Sequence, residues 1–222
     1  RHVEAQRNYP GSVICGRCPW LHPDSNATLA GMLTELGYDP WSARAENFVE
    51  IPVVASGQLS VPARLFKDRG FVYRDDLRTP AAEEYELSYR LQQMGVRVLL
   101  GVGIEGFHDH DINIRSMAQQ SYKHALGCAE AASKVSGVAS FPPVGAIMDR
   151  HRLRKDSRLV RLSARLLCTP WPRRTLVTLA ETLERFGRGL PLRRLYHVVL
   201  ALHMHAGIPT GLGEFQIGQD AL

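Results

Sequence analysis

Long apolar runs are missing from this 222-residue chain. A membrane-spanning helix needs roughly 20 predominantly apolar residues in a row. The best candidate, Leu195 to Ile208, is too short and carries three histidines. The opening stretch, RHVEAQRNYPG, is polar and does not read as a secretory signal. Cysteine is scarce, with four in the whole chain, which excludes a disulfide framework at this length and fits a reducing compartment. Cys15 and Cys18 form CGRC, but no second pair exists to complete a zinc site. The pair reads as a redox couple, as half a metal site with His22 as a third ligand, or as two loop cysteines. Cys128 and Cys168 read as small apolar residues on helices. There is no internal repeat and no low-complexity tract.

What is present suffices for one domain with a core, or one domain plus an appendage, since 45% of residues are hydrophobic. The net charge of +5 is unevenly spread. Gly145 to Arg194 holds 13 Lys and Arg against 4 Asp and Glu, while the rest holds 14 against 18. A slightly acidic part and a strongly basic part imply different jobs. The first residue is Arg, so the chain is expected to be a fragment or a processed product.

The local signals give an α/β order with a helical end. Ser12 to Gly16 is a short strand candidate. Asn26 to Gly37 reads as a helix with an Asn cap and a Gly stop. Val49 to Ala55 reads as a strand, SGQLS as a tight loop, and Pro62 to Arg69 as a helix opening on proline. Thr79 and Pro80 suit the cap and first position of a helix that runs to Met94 and stops at Gly95. Leu87, Leu91 and Met94 share one face of it, and Glu86 is spaced to pair with Arg90. Val96 to Val102 is β-branched and apolar, as expected of a buried strand. A helix over Ile114 to Val135 follows, then a loop boundary near residue 140 and three basic helical segments.

The unit from Glu83 to Asp111 carries the chemistry. Glu83 and Glu84 fall in the first turn of their helix, where the dipole favours an ionised carboxylate. Such a carboxylate can act as general base toward a hydroxyl within hydrogen-bond reach. His108 and His110 sit past the C-terminal end of the next strand, the edge at which open α/β sheets bind ligands. A neutral imidazole there can ligate a divalent metal. Equally, first-turn acids can simply stabilise a helix, by about 0.3–1 kcal/mol each, and HDHD can be a solvated loop.

RGF (Arg69 to Phe71), EEYELSYRL (Glu83 to Leu91), GVRVLL (Gly95 to Leu100) and FHDH (Phe107 to His110) occur in that order. The first of these closes the longer stretch ASGQLSVPARLFKDRGF. Over residues 50 to 135 this series resembles the C-terminal half of GT-A glycosyltransferases of the large inverting family two. The resemblance implies an α/β fold: a partial GT-A-like, Rossmann-related sheet with flanking helices, followed by a basic helical tail. It divides the chain into residues 1–140, the acceptor-side half of a catalytic domain, and residues 141–222, the tail. The nucleotide-binding half with its Asp-x-Asp motif is expected upstream of Arg1.

By position, Glu84 matches the family's catalytic carboxylate, which deprotonates the acceptor hydroxyl. Glu83 and Glu86 match the neighbouring acids, and Gln58 stands where an Asn is usual. His108 matches the histidine at the metal or diphosphate, with His110 the competing assignment. Three departures stand out: the base is Glu rather than Asp, Gln58 replaces Asn, and the processive Q-x-x-R-W signature is absent. The last implies single addition. The resemblance further implies a nucleotide-sugar donor, a sugar or lipid-linked acceptor, and a divalent metal (Mg or Mn) bound mainly by residues outside the chain. A membrane-surface location on the cytoplasmic side is expected, with the arginine–leucine interleaving of residues 145–205 as the attachment. Two other readings compete. The basic helices suit a nucleic-acid-binding module, although nucleic acid is not the favoured partner. HDHD suits a metal-dependent hydrolase.

Overall fold

The computed structural model describes residues 1–35, 48–69, 73–79, 81–109, 111–153, 166–186 and 190–216. Four strands form one mixed sheet in the order β2-β4-β1-β3: β1 (Val13–Arg17), β2 (Phe48–Glu50), β3 (Leu59–Ser60) and β4 (Val98–Glu105). The two central strands, β1 and β4, are parallel, with Ile14 opposite Leu99 and Cys15 opposite Leu100. The short edge strands β2 and β3 run antiparallel to them. The α/β class and the flanking helices agree with the sequence expectation.

Side-chain alternation along β1 splits the sheet into two faces. Val13 and Cys15 join Leu100, Val54, Leu65, Leu87 and Leu91, so α3 (Ala63–Arg69) and α4 (Ala82–Gln93) cover one face. Ile14, Leu99 and Ile104 join Ala5, so α1 (His2–Asn8) covers the other. A third cluster joins Ala82, Ala125, Cys128 and Phe141 with Val144 and Ile208. It gathers α4, α5 (Ile114–Lys134), α6 (Pro142–Leu153) and α8 (Leu190–Gln216). A fourth joins α2 (Ala27–Glu35), the start of α5, α7 (Pro170–Phe186) and α8 through Leu29, Met117, Val177, Tyr196 and Val199. The helices after residue 141 thus share cores with the sheet-bearing part. At Gly207 the approach of α8 to α5 is close: a Cβ there would lie 2.4 Å from Tyr122 O.

Several expected element ends hold. Asn26 Oδ1 accepts from Leu29 N (3.0 Å), and Gly95 takes φ +65° after α4. Others move for physical reasons. The strand expected over 49–55 ends at Glu50. Ile51 N donates to Val98 O (2.9 Å), and the proline that follows has no N–H to continue the ladder. The strand expected from Val96 starts at Val98, because Val96 N closes the end of α4 on Leu91 O (2.9 Å). Thr79 is not a side-chain cap. Its N–H is bound by Glu130, and α4 begins after Ala81, which has φ +74°. Pro80 lies outside the described residues.

Candidate functional site

The parallel pair β1/β4 has its C-terminal ends on one side of the sheet, and the candidate residues gather around that edge. Residues 102–104 of β4 bulge outward there, because Gly16 pairs with Gly101 while Arg17 pairs with Glu105. Ile104 folds back over Gly101, where a Cβ would lie 2.7 Å from Ile104 Cδ1. Bulges of this kind re-aim the chain beside functional sites. Past the strands the pairing continues: His108 N donates to Pro19 O (2.9 Å) and Leu21 N to His108 O (2.9 Å).

Glu84 lies in the first turn of α4, half-buried at the same edge. Its Oε1 accepts from Ser56 N (3.0 Å) and from Ser56 Oγ. Among the described residues no hydrogen bond reaches its Oε2. The loop that delivers Ser56 is tied down residue by residue. Val54 N donates to Ser88 Oγ (2.9 Å), Ala55 N to Cys15 Sγ (3.5 Å) and Ser56 N to Glu84. Three successive backbone donors thus rest on side chains of α4 and β1.

Three neutral groups feel the charge of Glu84. Burial pushes the Cys15 thiol up to about 11, and the Glu84 charge adds to the shift against the opposing Ala55 N–H. Burial raises the Tyr73 phenol as well, and the Glu84 and Glu83 carboxylates raise it further. His124 of α5 is pulled down by burial, with Glu84 and Glu83 pulling the other way. The Glu84 charge thus reaches an uncharged thiol, phenol and imidazole, with the Glu83 carboxylate next to it in the chain. Such a setting suits proton acceptance from a neutral hydroxyl.

Glu86 points elsewhere. It is buried and pairs bidentately with Arg90, Nε to Oε1 at 3.0 Å and Nη2 to Oε2 at 2.9 Å. The expected pairing with Arg90 is therefore present, and both Glu86 oxygens are occupied by it. Gln58 packs on Gly16, whose N donates to Gln58 O (2.9 Å). With its amide nitrogen toward Ile104 O and its oxygen toward Gly106 N, both at 3.1 Å, Gln58 ties β3 to the bulged end of β4. Cys18 Sγ stands over Gly57 and Gly106, 3.6 and 3.9 Å from where a Cβ would lie on each. Chain neighbours and contacts thus link Glu84 through Ser56, Gly57 and Cys18 to Pro19, whose O accepts from His108 N.

The His108 side chain is exposed and its ring lies 5.2 Å from that of Trp20, tilted by 37°. His22 Nε2 approaches Asp109 Oδ1 at 3.5 Å rather than the cysteines. His110 lies outside the described residues. Cys15 and Cys18 are free thiols, both raised by burial. Among the described residues no three of His, Cys, Asp and Glu are grouped closely enough to hold an ion. They do not fit a metal site by themselves, and no step below runs through one.

Ser56, Tyr73 and His124 were not found from the sequence. Ser56 stands 28 residues from Glu84, and nothing in SGQLS signals that contact. Glu130 was missed too. Fully buried on α5, it accepts from Arg78 N (2.9 Å) and Thr79 N (2.8 Å) and fixes the approach to α4. Its only sequence trace is the four-residue spacing to Lys134, whose Nζ lies 2.7 Å away. No family model, no curated protein and no solved structure matches the chain.

Proposed function

We propose that the chain is the acceptor-side half of an inverting, non-processive glycosyltransferase of GT-A type. The observation that carries the proposal is the state of Glu84. One oxygen is anchored by Ser56 and the other has no partner among the described residues, at the C-terminal edge of a parallel strand pair. An anchored carboxylate presents its second oxygen in a fixed direction, which is what a general base needs.

In the proposed reaction Glu84 Oε2 takes the proton of an acceptor hydroxyl. The oxygen attacks the anomeric carbon of a nucleotide sugar. The bond from that carbon to the nucleoside diphosphate breaks, and the diphosphate leaves with the electron pair. Attack opposite the leaving group inverts the anomeric configuration. In this reading His108, at the other end of the series, donates a hydrogen bond to the departing diphosphate. Glu83 lies beside the acceptor, and Gln58 shapes the edge from within the fold. The reading requires a donor-binding half beyond these 222 residues, which would also supply the ligands of a divalent metal.

The test is sugar transfer by the protein that joins this chain to its donor-binding half. A panel of nucleotide sugars with α-linked donors should yield β-linked product by NMR, one sugar per acceptor. Retained configuration, or hydrolysis of phosphoesters without transfer, contradicts the proposal.

A further inference from the structure

Helix α7 turns an apolar face to solvent. Trp171 and Phe186, near its two ends, are 77% and 82% exposed, and Leu179 and Leu183 between them are 45% and 39% exposed. At 3.6 residues per turn these four fall within an arc of about 120°, with Thr175 and Thr182 between them. The opposite side carries Val177 and Ala180, both buried in the shared core. The helix is therefore amphipathic twice over: one apolar side is covered, and a second is bare.

Two independent features say what the bare side fits. The first is the state of its threonines. Thr175 Oγ1 donates to Trp171 O (3.1 Å) and Thr182 Oγ1 to Thr178 O (2.8 Å). A hydroxyl bonded back to its own helix needs no water, so these positions can leave water with the aromatic residues at small cost. The second is charge. Both acids of α7 have partners within the chain: Glu181 pairs at the surface with Arg115 at 2.5 Å, and Glu184 bonds Tyr196 Oη at 2.6 Å and Asn26 Nδ2 at 2.9 Å. The exposed charges left on the helix include Arg174 and Arg185, which lie on one flank of the apolar arc. An aromatic-ended apolar strip with bonded-back hydroxyls and a cationic flank complements an anionic lipid surface.

We propose that α7 lies in the plane of an anionic membrane surface, with Trp171 and Phe186 inserted at the headgroup boundary and Arg174 and Arg185 against the lipid phosphates. Among the described residues no helix is long and apolar enough to cross a membrane, so the attachment is by one face. The sequence pointed to arginine–leucine interleaving over residues 145–205. Of that stretch, residues 154–165 and 187–189 lie outside the described ones, and α7 is the segment whose exposure supports the attachment. The inference does not depend on sugar transfer, and its test does not measure it.

The experiment is co-sedimentation of the 222-residue chain with two kinds of vesicle, pure phosphatidylcholine and phosphatidylcholine mixed with phosphatidylglycerol. Binding to the mixed vesicles is expected at low salt, with release at high salt. Trp171→Ala with Phe186→Ala should weaken that binding by about tenfold or more, since affinity follows inserted apolar area. Arg174→Glu with Arg185→Glu should weaken it at least as much on the anionic vesicles, by adding repulsion. All four side chains are on the surface, so thermal unfolding of both variants should match the parent chain. A parent chain that stays in the supernatant overturns the proposal, and so does an aromatic variant that binds like the parent. If sedimentation velocity shows a dimer that the aromatic variant dissociates, while vesicle binding is nil, the face belongs to a second copy of the chain.

Discussion

Replacing Glu130 with alanine removes the acceptor that sets the entry into α4. The carboxylate is fully buried and takes three charge-assisted contacts, from Arg78 N, Thr79 N and Lys134 Nζ. Hydrogen bonds to a charged group contribute about 1.5–3 kcal/mol each, and the truncation leaves the buried Thr79 N–H without a partner. Lys134 Nζ keeps its bond to Asp76 O, so the expected loss, set by the two backbone donors, is about 2–4 kcal/mol. Glu130→Gln keeps one acceptor but turns an amide NH2 toward a second donor, so about 2–3 kcal/mol is expected.

Urea unfolding with an unchanged m-value measures the Glu130 effect directly. Acid supplies a second arm. Burial alone would raise the Glu130 pKa. The bonds from Lys134, Thr79 and Arg78 outweigh it and hold the group below its ordinary value of 4.5. A depressed folded pKa contributes stability that is present above the unfolded value and lost as pH falls through the folded one. The parent chain should therefore lose part of its stability below about pH 4.5, and the Gln variant should lack that part. A Glu130→Ala cost under about 1 kcal/mol would refute the reasoning, since it would mean that residues 78–79 find water instead.

Two further outcomes follow from the packing. Burial pushes the Cys15 thiol up from 9.0 to about 11, so the unfolded chain gains a thiolate before the folded one does. Stability should fall as pH rises from 9 toward 11, by on the order of 3 kcal/mol at most from this group, and Cys15→Ala should remove that part in pH-dependent unfolding. At Gly207 a Cβ would lie 2.4 Å from the Tyr122 carbonyl, so Gly207→Val should separate α8 from α5 and cost about 1–3 kcal/mol by thermal unfolding.

Local signals in the sequence were enough for much of the fold. The Asn26 cap, the Gly95 stop, the first-turn position of Glu83 and Glu84 and the Glu86–Arg90 pairing all depend on residues at most four apart, and all are present. The failures share the opposite property. Thr79 looks like a cap until Glu130, 51 residues on, takes its N–H. The bulge at 102–104 depends on β1 and on Ile104 closing over Gly101. The tail reads as basic and amphipathic, but nothing local says that Tyr196 and Val199 are buried beside Leu29. The site divides in the same way. Glu84 and His108 were legible as positions on elements, whereas Ser56, which bonds Glu84, and Tyr73 and His124, which feel its charge, depend on long-range packing.

The most direct measurement of the catalytic role proposed for Glu84 is Glu84→Gln in a protein that supplies the proposed donor-binding half, with turnover and donor affinity read separately. Glutamine keeps an oxygen for the Ser56 N–H and Oγ but cannot take a proton from a hydroxyl. The account predicts a fall in turnover of about 10²–10⁴-fold with donor affinity nearly unchanged. Near-normal turnover would contradict it, and Glu84 would then be only the carboxylate that holds the Ser56 loop against α4.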